Sequence, residues 1–106
     1  VAVFQPHRYT RLKALWNDFK TSFENASKVI VTDVYAASED VIDGISGENF
    51  AKELGNAQYI SGSMEDVGQK LLPLLTSGNI VIGLGAGTIT DLGKALEKAH
   101  GVLACK

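Results

Sequence analysis

Two arginines three positions apart, Arg8 and Arg11, close the run Val1-Ala2-Val3-Phe4-Gln5-Pro6-His7-Arg8-Tyr9-Thr10-Arg11. At a helix start, side chains at i and i+3 share one side. Two guanidiniums there, beside N–H groups that have no intrahelical partner, suit a carboxylate or a phosphate held bidentately. A solvated turn with two surface arginines has the same spacing, so the pattern admits both readings. His7 beside them reads as a loop histidine unless a ligand gives it an orienting role.

Two further segments carry candidate chemistry. Asp33-Val34-Tyr35-Ala36-Ala37-Ser38-Glu39 follows a β-branched run; Tyr35 could shape a small pocket or be a half-buried core residue, and Glu39, Asp40 and Asp43 read as a solvated acidic run. Gly83-Leu84-Gly85-Ala86-Gly87-Thr88 has glycines where a backbone could approach phosphate. Its spacing is not the G-x-G-x-x-G fingerprint, and no acid follows about 20 positions on. A turn that packs helix on strand explains it equally well. Gly93-Lys94 is followed by Ala95, so the chain has no P-loop lysine. His7, His100 and Cys105 stand apart, without metal-ligand spacing, and no residue set suggests a nucleophilic triad.

The elements that must position these residues alternate between strand and helix. Val1–Phe4 reads as a strand. Leu12, Leu15, Trp16, Phe19 and Phe23 then recur at helical spacing, about four turns with Thr10 as N-cap. Lys28–Asp33 is a second strand and Gln58–Ile60 a third. Phe50, Ala51 and Leu54 predict a short helix stopped by Gly55. Ser63 and Asp66 predict a capping box opening a helix through Leu75, which Pro73 would kink or shorten. Asn79–Leu84 is a fourth strand and Thr88–Ala99 a last helix, ended by Gly101. Val102-Leu103-Ala104 is a candidate final edge strand.

Such alternation predicts an α/β, Rossmann-like, doubly wound and mostly parallel sheet with helices on both faces, with room for one antiparallel edge strand. The three candidate segments then lie at the carboxyl ends of strands, where open sheets bind ligands.

With 106 residues the chain makes one domain, residues 1–106, able to bury roughly two-thirds of its surface. Ten Lys+Arg against twelve Asp+Glu, a net charge of −2, argue against a nucleic-acid surface. No apolar run approaches the ~18 residues of a membrane span. The single cysteine, Cys105, cannot form an internal disulfide, which favours a reducing cytoplasm. Opening at Val1 inside an apolar run, the chain reads as a piece of a longer one.

Val3-Phe4-Gln5-Pro6-His7-Arg8-Tyr9-Thr10-Arg11 closely resembles a signature of the third domain of the Mur ligase family, in the branch that adds L-alanine to UDP-N-acetylmuramate. Asp33-Val34-Tyr35-Ala36-Ala37 and Gly85-Ala86-Gly87 resemble two later signatures, in the expected order. The related ligase that attaches a preformed tripeptide lacks the His-Arg-Tyr-Thr-Arg run. Ser38 departs from the pattern, where members usually have glycine, and the segment beyond Gly101 has no match.

The resemblance implies the C-terminal, Rossmann-like domain of a three-domain enzyme, lacking its first segment. In that family ATP phosphorylates a lactyl carboxylate, alanine's amine attacks the acyl phosphate, and magnesium offsets phosphate charge. ATP and Mg would be bound mainly by the central domain. The N-terminal and central domains, L-alanine and UDP-N-acetylmuramate would be the partners, in the cytoplasm. Arg8 and Arg11 would grip the alanine carboxylate, His7 would orient nearby and Tyr35 would limit the side-chain pocket. Asp33 and the Gly85–Gly87 turn would face the nucleotide. The alternative is a free-standing nucleotide-binding module without catalysis.

Overall fold

The computed structural model of the chain describes residues 1–76 and 78–104. Four strands, β1 (Ala2–Phe4), β2 (Val29–Thr32), β3 (Ala57–Ile60) and β4 (Ile82–Leu84), form one sheet. Its order is β3-β2-β1-β4 and every pairing is parallel. Helices α1 (Tyr9–Ala14), α2 (Trp16–Thr21), α3 (Gly47–Leu54) and α4 (Met64–Leu71) fill the crossovers, and α5 (Leu92–Ala104) follows β4. The doubly wound architecture expected from the alternation is the one observed.

Side chains alternate across a strand, so β1 and β2 feed two separate cores. Val3 and Ile30 point to one face, against Met64, Val67 and Leu71 of α4 and Leu92 of α5. Phe4, Val29 and Val31 point to the other, against Leu12, Phe50 and Ala51. Burial on both faces is why these strands read as unbroken apolar runs rather than alternating ones. Phe4 sits at the centre of an aromatic cluster, its ring centroid 5.1 Å from Phe19, 5.2 Å from Phe23 and 5.7 Å from Phe50. Each such pair is worth about 0.5–1.5 kcal/mol beyond area burial.

Local signals set several boundaries. Ser63 and Asp66 form the capping box with both arms present, and Ser46 caps α3 by accepting from the Asn49 N–H at 3.0 Å. Pro73 ends α4 by forming a short 3-10 turn, Leu72–Leu74, in place of a helix reaching Leu75.

Other boundaries differ from expectation. The four-turn helix is two six-residue helices with a break at Leu15 (φ −108°, ψ 16°). With the break in place Trp16 meets Phe50 edge-on, centroids 5.0 Å apart, while Phe19 meets Phe4. The fourth strand is only Ile82–Leu84, because its sole partner, β1, is three residues long. Ile80 upstream of it is 74% exposed. The helix expected to stop at Gly101 continues to Ala104, so Val102-Leu103-Ala104 is helical and forms no edge strand. No strand among the described residues runs antiparallel. Cys105 lies outside the described residues.

Candidate functional site

From β1 the chain winds outward through β2 to β3, then returns to the far side of β1 with β4. The loops after β1 and β4 therefore leave in opposite directions, and a crevice opens at their carboxyl ends, where doubly wound folds bind ligands. A cavity of about 450 Å³ occupies that crevice. Its polar end is made by His7 and Arg11, its walls by Gln5 and by Leu84, Gly85 and Ala86 of the glycine turn. Its apolar floor is Phe4 with Phe19 and Phe23.

The loop after β1 is tied to the loop after β2 as if the sheet continued. The Tyr35 N–H donates to the Pro6 carbonyl and the Arg8 N–H donates to the Tyr35 carbonyl, each at 2.8 Å. This ladder sets the His7 and Tyr35 backbones side by side, and their rings stack with centroids 5.4 Å apart and planes 15° from parallel. It also holds Arg8 at φ +70°, a backbone conformation that costs a non-glycine residue about 1–3 kcal/mol and that tends to mark functional loops.

The two arginines differ in their surroundings. Arg11 lines the cavity beside His7, whereas Arg8 is not among the lining residues and its charge acts on Glu39. Neither makes a salt bridge among the described residues. Nor is the start of α1 open to an outside anion. Glu39 takes it, accepting from the Thr10 N–H at 3.2 Å and the Thr10 hydroxyl at 2.7 Å. Those two bonds hold the Glu39 carboxyl below its ordinary range. The residue read as part of a solvated acidic run thus caps α1, and Thr10, expected as an N-cap, lies within α1 while Arg8 holds the N-cap position.

The glycine turn is shaped by the chain's own residues. A Cβ at Gly85 would lie 2.7 Å from the Gln5 carbonyl oxygen, and one at Gly87 would lie 2.5 Å from Tyr35 Cγ and 2.9 Å from Gln5 Oε1. Gln5, which the motif reading passed over, is 4% exposed. Its Nε2 donates to Thr88 Oγ1 at 2.7 Å and its Oε1 accepts from the Ile89 N–H at 2.9 Å. The only hint in the sequence is an amide wedged between Phe4 and Pro6; its partners lie 83 and 84 positions away.

Asp33, at the end of β2, has both carboxylate oxygens engaged. The Tyr59 hydroxyl donates to Oδ1, while the Ser61 hydroxyl at 2.8 Å and the Gly62 N–H at 3.1 Å donate to Oδ2. Burial by itself pushes the Asp33 carboxyl up, but the three donors and the nearby Lys70 charge outweigh it and bring it below its ordinary value. Burial, then the bond to Asp33, pushes the Tyr59 hydroxyl up. Asp33 thus latches the β3–α4 loop onto β2. His7, Arg11, Gly85 and, through His7 and Gly87, Tyr35 gather at the crevice; Arg8 and Asp33 turn to other tasks.

Relatives of known name resolve which family this crevice belongs to. The chain is 42% identical over 101 residues to the UDP-N-acetylmuramate–L-alanine ligase of Sulfurihydrogenibium sp. (strain YO3AOP1), covering 92% of the chain and 22% of that protein. It is 44% identical over 103 residues to the enzyme of that name from Trichlorobacter lovleyi, again covering 92% and 22%. The one from Brachyspira hyodysenteriae is 45% identical over 96 residues, covering 87% and 21%. The chain belongs to the UDP-N-acetylmuramate–L-alanine ligase family. It spans about a fifth of the length of the ligases it matches. No protein-family model matches it. Among the described residues no helix is long and apolar enough to cross a membrane, and no three His, Cys, Asp or Glu side chains come together as metal ligands.

Proposed function

We propose that this chain is the amino-acid-presenting, C-terminal domain of an ATP-dependent cytoplasmic ligase. The whole enzyme would join L-alanine to UDP-N-acetylmuramate in peptidoglycan precursor synthesis. The observation that carries this reading is the switch-point cavity whose polar end is His7 and Arg11, with Arg11 free of any salt bridge among the described residues. A guanidinium at the mouth of an apolar pocket suits a small amino acid held by its carboxylate. Tyr35, stacked on His7, would bound the side-chain end. Arg8 would contribute charge at the rim rather than a second contact.

In this reading the sugar's carboxylate attacks the γ-phosphorus of ATP and releases ADP. The alanine amine then attacks the acyl carbon and loses a proton, and the tetrahedral intermediate expels phosphate to leave the amide. Arg11 aims the amine; positioning of this kind can supply several kcal/mol of a barrier. Magnesium and the phosphates fall to the rest of the ligase, in keeping with an Asp33 carboxylate satisfied within the chain and the absence of a P-loop lysine. The glycine turn, with Gly85 and Ala86 on the cavity wall, would stand between amino acid and nucleotide.

In the full-length ligase, Arg11→Ala should raise the alanine KM at least about tenfold, a loss of about 1.4 kcal/mol, and leave the ATP KM near its starting value. A change confined to ATP kinetics would remove Arg11 from this role. The chain by itself should release no ADP when given ATP, UDP-N-acetylmuramate and alanine.

A further inference from the structure

We infer that Gln5 is the positioning residue of the crevice: by clamping the glycine turn through its side-chain amide, it sets the contact of Gly87 with Tyr35 and so the stacking of Tyr35 on His7. Its importance for amino-acid binding rests on the function proposed above; the geometric claim does not.

Four observations converge on it. Gln5 is a polar side chain just past the apolar strand β1, 4% exposed, and buried polar groups are costly unless hydrogen-bonded. Both ends of its amide are satisfied, and both partners, Thr88 Oγ1 and the Ile89 N–H, belong to the segment just after the turn. Its backbone also holds the turn's other end, the Gln5 N–H donating to the Leu84 carbonyl at 2.9 Å. One residue thus pins the Leu84–Ile89 segment on both sides of Gly85 and Gly87. The third observation explains the glycines: a side chain at Gly85 would strike the Gln5 carbonyl, and one at Gly87 would strike Tyr35 and Gln5 Oε1. The turn must lie this close for the amide to reach Thr88 and Ile89, and only glycine permits it.

The fourth is the position of Tyr35. It is 37% exposed, so the core does not hold it. One side of its ring is against Gly87, and it stacks on His7. A displaced Gly87 would leave the ring free to move, and His7 with it. Glutamine suits the task because one planar group accepts and donates at once; leucine has the bulk without the bonds, and a buried carboxylate would add an unpaired charge.

The test reads the His7 imidazole by NMR in the 106-residue chain, where only one other histidine, His100, is present. In the unaltered chain the His7 ring protons should be shifted upfield by the Tyr35 ring current. Gln5→Leu should abolish that shift. Thr88→Val, at an exposed position, removes the acceptor for the Gln5 amide without touching the core and should reduce the shift. Thr88→Ser, which keeps the hydroxyl, should restore it. An upfield shift that persists in a folded Gln5→Leu chain, or in Thr88→Val, overturns the inference even if the thermal midpoint falls, because a residue that only supports the fold would lower stability and leave the stack intact. Should Gln5→Leu fail to fold, the two Thr88 variants carry the same decision. If alanine fails to perturb the unaltered enzyme while His7 still follows Gln5 and Thr88, the proposed substrate fails and the clamp stands.

Discussion

Glu39 holds Thr10 by both carboxylate oxygens, Oε2 to the hydroxyl at 2.7 Å and Oε1 to the backbone N–H at 3.2 Å. The loop after β2 thereby caps the helix that carries Arg11, tying the loop that bears Tyr35 to α1. The bonds from the Thr10 side chain and then its backbone depress the Glu39 carboxyl below its ordinary value of 4.5. A depressed carboxyl contributes stability that is present above the unfolded value and lost as pH falls through the folded one. Glu39→Gln should therefore speed amide exchange at Thr10 at neutral pH and change it little at low pH. Equal exchange in both chains at neutral pH would show that the cap does not hold α1.

The Asp33 latch has the same sign of pH dependence and a different reporter. Its carboxyl lies below the ordinary value of 3.8, so the latch is complete above that value and weakens as pH falls through the lowered one. Asp33→Asn would face the Gly62 N–H with a competing donor. It should cost about 1–2 kcal/mol at pH 7, after allowing for partial exposure, and flatten the acid limb of the stability curve. Urea melts at several pH values measure both. An unchanged acid limb would mean that Asp33 is not the group that titrates.

Two glycines of opposite surroundings give a paired prediction. A Cβ at Gly47, the first residue of α3, would overlap the Thr32 carbonyl oxygen at the end of β2, whereas one at Gly93 in α5 meets nothing within 4 Å. Backbone cannot yield as a flexible side chain can, so Gly47→Ala should lose about 3 kcal/mol or more. Gly93→Ala should gain about 0.8–1 kcal/mol from helix propensity. A denaturant midpoint that failed to fall in Gly47→Ala would refute the packing of α3 on β2, and one that fell in Gly93→Ala would refute the open surroundings of Gly93.

Ser38 occupies φ +73°, just after Ala37 at φ +51°. Left-handed backbone costs an ordinary residue about 1–2 kcal/mol, part of which glycine's freedom in the unfolded chain takes back. Ser38→Gly should raise stability by about 0.5 kcal/mol, read from the shift in urea midpoint. A lower midpoint would mean that the side chain, not the turn, holds this loop.

Much of the architecture is written locally. The β-branched run at Val29–Thr32, the Ser63–Asp66 capping box and Pro73 behind α4 act through neighbours a few residues away, so alternation of type and spacing was enough to read them. The His7–Arg11 signature was legible for the same reason, being contiguous. Local signals failed where the outcome depended on a distant partner. Ile80 has strand character, but it joins no ladder and its carbonyl accepts from the Val1 amino group at 2.9 Å. Leu15 fits a continuous helix, but two aromatic contacts on different strands and helices divide it.

Tertiary structure alone decided the strand order, and the order decided the site. Placing β4 beside β1 brings residues 80 or more positions apart into hydrogen-bonding range, Gln5 with Thr88 and Ile89, which no periodicity encodes. It also gave the two arginines different surroundings: Arg11, within α1, lines the cavity, while the Arg8 N–H is bonded to Tyr35 and Arg8 is not among the lining residues. Residue type determined which chemistry was on hand, a guanidinium, an imidazole and a phenol near strand ends. Which of them meet is a matter of long-range packing and loop hydrogen bonds, whose energies arise only once the chain has closed on itself.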